Sequence, residues 1–352
     1  MPQGDRSLIM SLGCTPTCES KRTEICWECG KKCCDRHRVP SKRHRVGWLC
    51  LRPECHENHK EPTAWRVNIA PDGKPAYAVA LDKKVVGVGW GVPDDPNPPQ
   101  TWLEFEMRAR EHYTNSAWKA PLHSFENGMA IGDFVWTYEK DRGRYYLGRI
   151  ESPWRYSAKE PFLSSGLRHI RDCEWMQVPV SKVPSSVLHG RSIVRHHPGL
   201  SEYSKQVYNA LTKTGHRYRL SENALSNLWD FLGPDDCEDA VAFYLQIEKG
   251  FLIQPSTSKI STPDIEFMVW QKDTGDGAGV QVKSGSQAID LAVYARKPEM
   301  YFVFSSSGSY RGKLADNTLV LDPKEVESSL RRNRARLSNT LRFWINRVSP
   351  EP

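Results

Sequence analysis

Asp264 and Glu266 open one β-like run, Ser261-Thr262-Pro263-Asp264-Ile265-Glu266, and Gln281 and Lys283 sit in the next, Val280-Gln281-Val282-Lys283. A Gly-rich turn separates the two. The polar residues alternate with Ile265, Phe267, Val280 and Val282, so each run has one polar and one apolar face. Two adjacent strands of this kind bring Asp264, Gln281 and Lys283 toward one divalent cation and one water. That is a minimal set for metal-assisted hydrolysis of a phosphodiester. The competing reading is a solvated hairpin with ordinary exposed polar side chains.

The elements that must position these residues can be read on both sides of them. Pro234-Asp235-Asp236-Cys237-Glu238-Asp239 followed by Ala240-Val241-Ala242-Phe243-Tyr244-Leu245 predicts an acid-capped helix with an apolar face. Phe251-Leu252-Ile253 predicts a short strand after it. Ile289 to Tyr294 forms a further apolar segment, and strands are expected at Met300–Phe304 and Thr318–Leu321.

From about Glu222 to the C-terminus this order, with the literal Pro263-Asp264 and Gln281-x-Lys283, resembles the PD-(D/E)xK nuclease superfamily. The Gln in place of an acid is most similar to its Mrr-type restriction branch. The resemblance implies that Asp264 binds Mg²⁺ or Mn²⁺, Gln281 completes the metal shell, and Lys283 positions or activates the attacking water. It assigns a supporting role to Glu238 on the first helix. Glu266, on the same strand face as Asp264, can share or replace that residue's part. Gln281 also lowers the local negative charge.

Cysteine use is concentrated at the other end. Cys14, Cys18, Cys26, Cys29, Cys33, Cys34, Cys50 and Cys55 are eight of the ten cysteines, interspersed with His37, His44, His56 and His59. Zinc takes four thiolate or imidazole ligands, usually delivered as two close pairs. Cys14/Cys18, Cys26/Cys29, Cys34/His37 and Cys50/Cys55, with His59 close behind, suit a cross-braced module holding two structural zinc ions. Cys33 competes with Cys34, and His56 and His59 compete with Cys50 and Cys55. The spacing resembles RING, B-box and transposase-tail zinc fingers. A disulfide framework is the alternative, disfavoured by the mixed-in His. So little aliphatic residue here means that metal must supply the folding energy.

Between these ends, short β-runs are expected at Ala76–Ala80, Val85–Trp90, Asp133–Tyr138, Arg144–Ile150 and Cys173–Val178, with a helix over Leu103–Tyr113. The pattern suggests a small β-barrel. Gly132-Asp133-Phe134-Val135 and Tyr145-Tyr146-Leu147-Gly148-Arg149-Ile150 resemble PUA-like folds, the EVE type especially. That resemblance implies an aromatic-lined pocket for a flipped, modified base. Trp90, Trp118, Trp136, Tyr138, Trp154 and Tyr156 are the candidate stacking residues, set against the alternative that each is core or turn packing. Stacking can offset the cost of unpairing a base.

A length of 352 residues accommodates several domains, and the expected fold is multidomain α+β: a zinc-binding module over 1–62, a PUA/EVE-like β-barrel reader over 63–198, and an α/β nuclease core over 199–352. Helices at Glu202–Thr212 and Glu222–Leu232 are expected to cap that core. The net charge of +7, with basic runs at Lys31–Arg45 and Arg331–Arg336, favours polyanion partners. No apolar run is long enough to span a bilayer, Met1–Arg6 lacks a signal-peptide pattern, and a cytoplasmic or nucleoid-associated place is expected. No P-loop is present, so no ATP-driven step is expected. Together these imply a modification-dependent DNA endonuclease of the type IV restriction kind. A homodimer would serve duplex cleavage. The alternatives are a non-catalytic nucleic-acid-binding protein with a degenerate nuclease fold, and a zinc-finger adaptor for protein partners.

Overall fold

In the computed structural model, alternating apolar residues build two separate sheets. The structure describes residues 61–69, 76–93, 97–188, 193–213, 218–221, 225, 227–254 and 265–348, together with the backbone of four short strands nearer the N-terminus. Those strands are β1 (Thr23–Ile25), β2 (Lys32–Cys34), β3 (Arg38–Pro40) and β4 (Trp48–Cys50). They pair as two antiparallel hairpins, with Cys34 opposite Thr23 and Cys50 opposite Arg38. The zinc-ligand candidates Cys14, Cys18, Cys26, Cys29, His37, Cys55 and His59 lie outside the described residues, as does Asp264. The chain divides into two compact units, Met1–Val183 with Gly190–Ala224, and Pro184–His189 with Leu225–Pro352.

The first unit contains β5 (Ala64–Val67), α1 (Ala76–Asp82), β6 (Val85–Val88), α2 (Trp102–His112), α3 (Lys119–His123), β7 (Phe134–Glu139), β8 (Arg144–Ile150), β9 (Arg155–Tyr156), α4 (Phe162–Ser165), β10 (His169–Val178), β11 (Val194–His196) and α5 (Ser201–Leu211). Its curled half-barrel sheet runs β11-β5-β7-β8-β10-β6, with β9 also on β10. The curl is carried by β10: Cys173–Val178 pair with β8, while His169–Asp172 pair with β6. Asp133 ties the sheet entry together. Its carboxylate accepts from Thr63 N (2.9 Å), Ala130 N (2.9 Å) and Trp65 Nε1 (3.0 Å). Gly143 takes the left-handed conformation (φ 59°) that the β7–β8 turn requires.

Val86, Val88, Phe105, Val135, Ile150 and Ile170 pack on one side of this sheet. On the other, Trp136 Nε1 donates to Ser204 Oγ of α5 (2.8 Å), and Tyr208 of α5 donates to Glu174 (2.8 Å). Helix α5, expected to cap the C-terminal part, belongs to the first unit, which continues past the boundary expected at residue 198. The strand expected over Ala76–Ala80 is helix α1. Its Ala-rich sequence has the highest helix propensity, and Ala76 and Ala80, one turn apart, are the buried pair.

The second unit contains α6 (Pro234–Lys249), β12 (Phe251–Ile253), β13 (Phe267–Gln271), β14 (Gly277–Lys283), β15 (Ile289–Asp290), β16 (Met300–Ser305), β17 (Tyr310–Arg311), β18 (Thr318–Val320), α7 (Pro323–Arg332) and α8 (Asn339–Arg347). Its sheet runs β12-β13-β14-β16-β18. The first two pairings are antiparallel and the last two parallel. Helix α6 begins with Pro234 at its first turn and carries Asp235 and Asp236 there, but Gly233, not an acid, is its cap. Cys237, Ala240, Val241, Tyr244 and Leu245 form its buried stripe, and Tyr244 and Glu248 bond to Glu325 and Ser329 of α7. The helix expected over Glu222–Leu232 is, among the described residues, a single 3₁₀ turn at Leu228–Asp230. Ile289–Tyr294 is split between β15 and a 3₁₀ helix. Cys173 and Cys237 are buried free thiols.

Gly148 marks the tightest approach in the first sheet. A Cβ there would overlap Cys173 Sγ and come within 2.6 Å of the Trp175 ring. Gly148→Ala is therefore expected to destabilise the first unit by about 1–3 kcal/mol, the cost of overpacking. A thermal melt unchanged from wild type would contradict this packing.

Candidate active site

The β13–β14 register decides which side chains meet. Phe267 lies opposite Val280, and Glu266 N–H donates to Val280 O (2.8 Å). Period-two alternation then buries Phe267, Val280 and Val282 while Glu266, Gln281 and Lys283 share the other face. Gln281 Nε2 donates to Glu266 Oε1 (2.7 Å), and Lys283 Nζ donates to the same oxygen (3.2 Å). Gln281 is only 2 % exposed, and its Oε1 is a buried acceptor with no hydrogen-bond partner. Turning the amide over would set oxygen against oxygen at Glu266, so the network fixes its orientation.

Glu238 reaches this cluster from α6. Burial, then the neighbouring Glu266, Asp235 and Asp239 carboxylates, push it up to about 7, with Lys283 opposing. Four of the five residues singled out in the sequence thus converge: Glu238, Glu266, Gln281 and Lys283. Among the described residues, no group of three His, Cys, Asp or Glu side chains is placed to hold a metal. The cluster offers two carboxylates and one amide oxygen.

The basic run Arg331–Arg336 is committed to the fold in its first half, while Arg334 and Arg336 are exposed. Arg331 is bonded to Glu327 and to the carbonyls of Ile345 and Val348, and Arg332 is paired with Glu248. Arg331 thereby bonds the last carbonyls of α8, and Arg332 ties α7 to α6.

In the first unit, the aromatic candidates separate into three environments. Trp118 and Trp136 are fully buried: Trp118 packs edge-on to Phe105 (5.9 Å), and Trp136 stacks on Tyr203 while bonding Ser204. They are core residues, which corrects their assignment as base-stacking groups. Tyr138 stacks on Tyr145 (4.5 Å, 13°) at the hairpin-turn end of β7–β8. Tyr145 lies opposite Val178, at the far end of β10 from His169. The Trp154 indole and the Trp90 backbone are joined through that histidine. Trp154 Nε1 donates to His169 Nδ1 (3.1 Å), and His169 Nε2 donates to Trp90 O (3.0 Å). Accepting at Nδ1 requires the neutral imidazole, and burial holds its pKa down at about 3.

Trp102, Phe105 and Tyr156 complete the ring around His169. The Gly89–Val92 segment is pinned over it, with Tyr156 accepting from Val92 N (3.0 Å) and Tyr113 donating to Gly91 O. Trp90 itself is left-handed at φ 65°, a conformation that costs a non-glycine residue about 1–3 kcal/mol and persists only where neighbours enforce it. His169 and Trp102 were not singled out in the sequence. His169 is remote in the chain from Trp90, and no spacing rule joins them. The usable signals were Trp90-Gly91 and Pro153-Trp154, aromatics set beside turn residues.

His169 makes the first unit acid-sensitive. Its folded pKa lies below the ordinary 6.5, so the unfolded chain binds the extra proton between pH 6.5 and about 3. Stability is complete above that window and is lost as pH falls through it. At pH 5 the loss is expected to be about 2 kcal/mol. His197, held near 3 by burial and then by Arg195 and Arg66, adds in the same direction. Melting temperatures of the full chain measured from pH 7 to pH 5 should drop less steeply for His169→Gln. An unchanged slope would contradict the buried neutral imidazole.

A family described as "Domain of unknown function (DUF8426)" matches residues 65–195, which span the curled sheet and the His169 enclosure. No curated protein and no solved structure matches the chain.

Proposed function

We propose that this chain is a metal-dependent endonuclease acting on DNA that carries a modified base. The observation that carries the reading is Gln281 Oε1. A buried acceptor left without a donor costs about 1–3 kcal/mol, and a cation beside two carboxylates would offset it. The residues fit such an ion: Glu238, Glu266 and Gln281 Oε1 would hold it, with Asp264 as the further ligand that the sequence supplies. A bound divalent cation would supply Lewis acidity to a phosphate oxygen and acidify a water molecule. The element order α6, β12, β13, β14, β16, β18 is the order on which the resemblance to the PD-(D/E)xK superfamily rests.

The chain's own groups divide the remaining work. Glu266 Oε1 orients both the Gln281 amide and the Lys283 ammonium. Lys283 brings positive charge to the phosphate as it becomes most negative, which helps chiefly in the transition state. Glu238, held near 7 while the cluster is empty, would be ionised by a bound cation and would serve as its ligand. Recognition of the base falls to the first unit, where the half-buried Trp102 and Trp154 rings flank His169 and the half-buried Trp90 is bonded to it through its carbonyl. Two zinc ions in the cysteine-rich head, and a second copy of the chain for the opposite strand, complete the proposal.

A second reading is favoured by one feature. Glu266 is already ion-paired to Lys283, and among the described residues no three His, Cys, Asp or Glu side chains are placed to hold a metal. A binding-only protein would keep such a cluster without cutting.

Incubating the full chain with modified and unmodified DNA, in Mg²⁺ or Mn²⁺ and in EDTA, separates the two. Cleavage should require metal. Lys283→Ala and Asp264→Ala should each lower it by about 100-fold or more, the scale for losing a transition-state charge contact, with DNA affinity nearly intact. Gln281→Glu should keep or strengthen metal binding. Binding without cleavage under every condition would establish the second reading.

A further inference from the structure

Lys283 ends β14, and its registered neighbour Ser305 ends the parallel strand β16. The two chains therefore leave the sheet side by side, at the edge that carries the Glu266–Gln281–Lys283 cluster. Each continues into a Ser/Gly loop, Ser284-Gly285-Ser286 after β14 and Ser305-Ser306-Ser307-Gly308-Ser309 after β16. The loops are bonded together: Ser306 N–H donates to Lys283 O (2.9 Å), and Gly285 N–H donates to Ser306 Oγ (2.9 Å). Just beyond, β15 and β17 pair in parallel, with Asp290 opposite Arg311. The second loop is thus built onto Lys283 by backbone bonds.

Its surface chemistry is of one kind. Ser307 Oγ donates to Ser309 Oγ (3.0 Å) and contacts Ser305 Oγ (3.2 Å), which accepts from Ser309 N (3.2 Å). Ser307 and Gly308 are exposed. Gly308 is left-handed at φ 66°, and a Cβ there would meet nothing within 4 Å, so its backbone is open to close approach. Arg311 is 71 % exposed, with only a loose 3.5 Å pairing to Asp290, and Lys313 is exposed after it. Hydroxyls, an open glycine backbone and two cations suit the oxygens of a phosphate chain.

We propose that the loop Ser305–Lys313 clamps the phosphodiester backbone of a DNA strand. Ser307, Ser309 and the Gly308 backbone contact one phosphate beside Lys283, and Arg311 and Lys313 neutralise the phosphates that follow. The proposal deepens the nuclease reading and rests on it for the identity of the phosphate at Lys283. The clamp itself is a binding claim and is separable from cleavage.

The test measures binding of a short fluorescent duplex DNA to the full chain in EDTA, where no metal-dependent cutting occurs, across a salt series. Arg311→Ala and Lys313→Ala should each reduce the slope of log affinity against log salt by about 1. Ser307→Asp places an anion at the open tip and should weaken binding by roughly tenfold at low salt, one tenfold step being about 1.4 kcal/mol. Lys272→Ala, at the opposite end of β13, should leave the slope unchanged, and circular dichroism would show each variant folded. Wild-type slopes and affinities in the three loop variants overturn the clamp, even if the protein cleaves DNA. Loss of binding in them from a wild type that never cleaves supports the clamp and removes the nuclease reading. No DNA binding by wild type overturns the clamp outright.

Discussion

A one-residue slip of β13 against β14 would turn Glu266 away from Gln281 and Lys283 and put Phe267 on their face instead. The candidate chemistry of the second unit depends on this register. It is held by apolar burial rather than by the polar residues. Val269 and Val280 are completely buried, and Gly279 admits Tyr301 and Ile265 so closely that a Cβ would come within 2.7 Å of the Tyr301 ring. Gly275 closes the turn at φ 76°. The parallel strand β16 then carries the register across, setting Val303 beside Gln281 and Ser305 beside Lys283.

Within that frame the polar face is electrostatically uneasy. A buried Gln acceptor lacks a donor, and Glu238 is held far above the ordinary carboxylate range. Neither condition serves stability, since an unpaired buried acceptor and a hindered ionisation both oppose folding. A fold that keeps such groups together, around one carboxylate already shared by an amide and an ammonium, has local rules broken where function is expected. Cation binding would relieve both at once, because it favours the ionised Glu238 and supplies the missing partner of Gln281.

Two buried polar groups of the first unit, by contrast, are fully bonded. Asp133 accepts three hydrogen bonds, and His169 uses both ring nitrogens. These groups are satisfied, so they specify geometry rather than await a ligand. The strain here is in the backbone, at Trp90, whose left-handed conformation is enforced by bonds to His169 and by the neighbouring pins on Gly91 and Val92. A rigid, half-buried indole on an enforced turn suits a flat partner, because little side-chain freedom remains to be lost on stacking.

What was legible in the sequence follows from the range of the interactions. The Gln281/Lys283 and Glu266 faces were readable because strand alternation is local, and α6 because its stripe of Cys237, Ala240, Val241, Tyr244 and Leu245 is helical in period. Ala76–Ala80 reads as a strand because so short a run, with Tyr77 in it, fits either period; burial of Ala76 and Ala80 one turn apart makes it helical. Trp118 and Trp136 could not be sorted from Trp90 and Trp154 by type. Only the tertiary surroundings, Phe105 against one and Ser204 and Tyr203 against the other, place them in the core. The same holds for α5, whose Ser204 and Tyr208 reach strands far back in the chain. The Ser305–Lys313 loop shows the reverse case: its composition reads as an ordinary linker, and only the parallel register of β14 and β16 sets it beside Lys283.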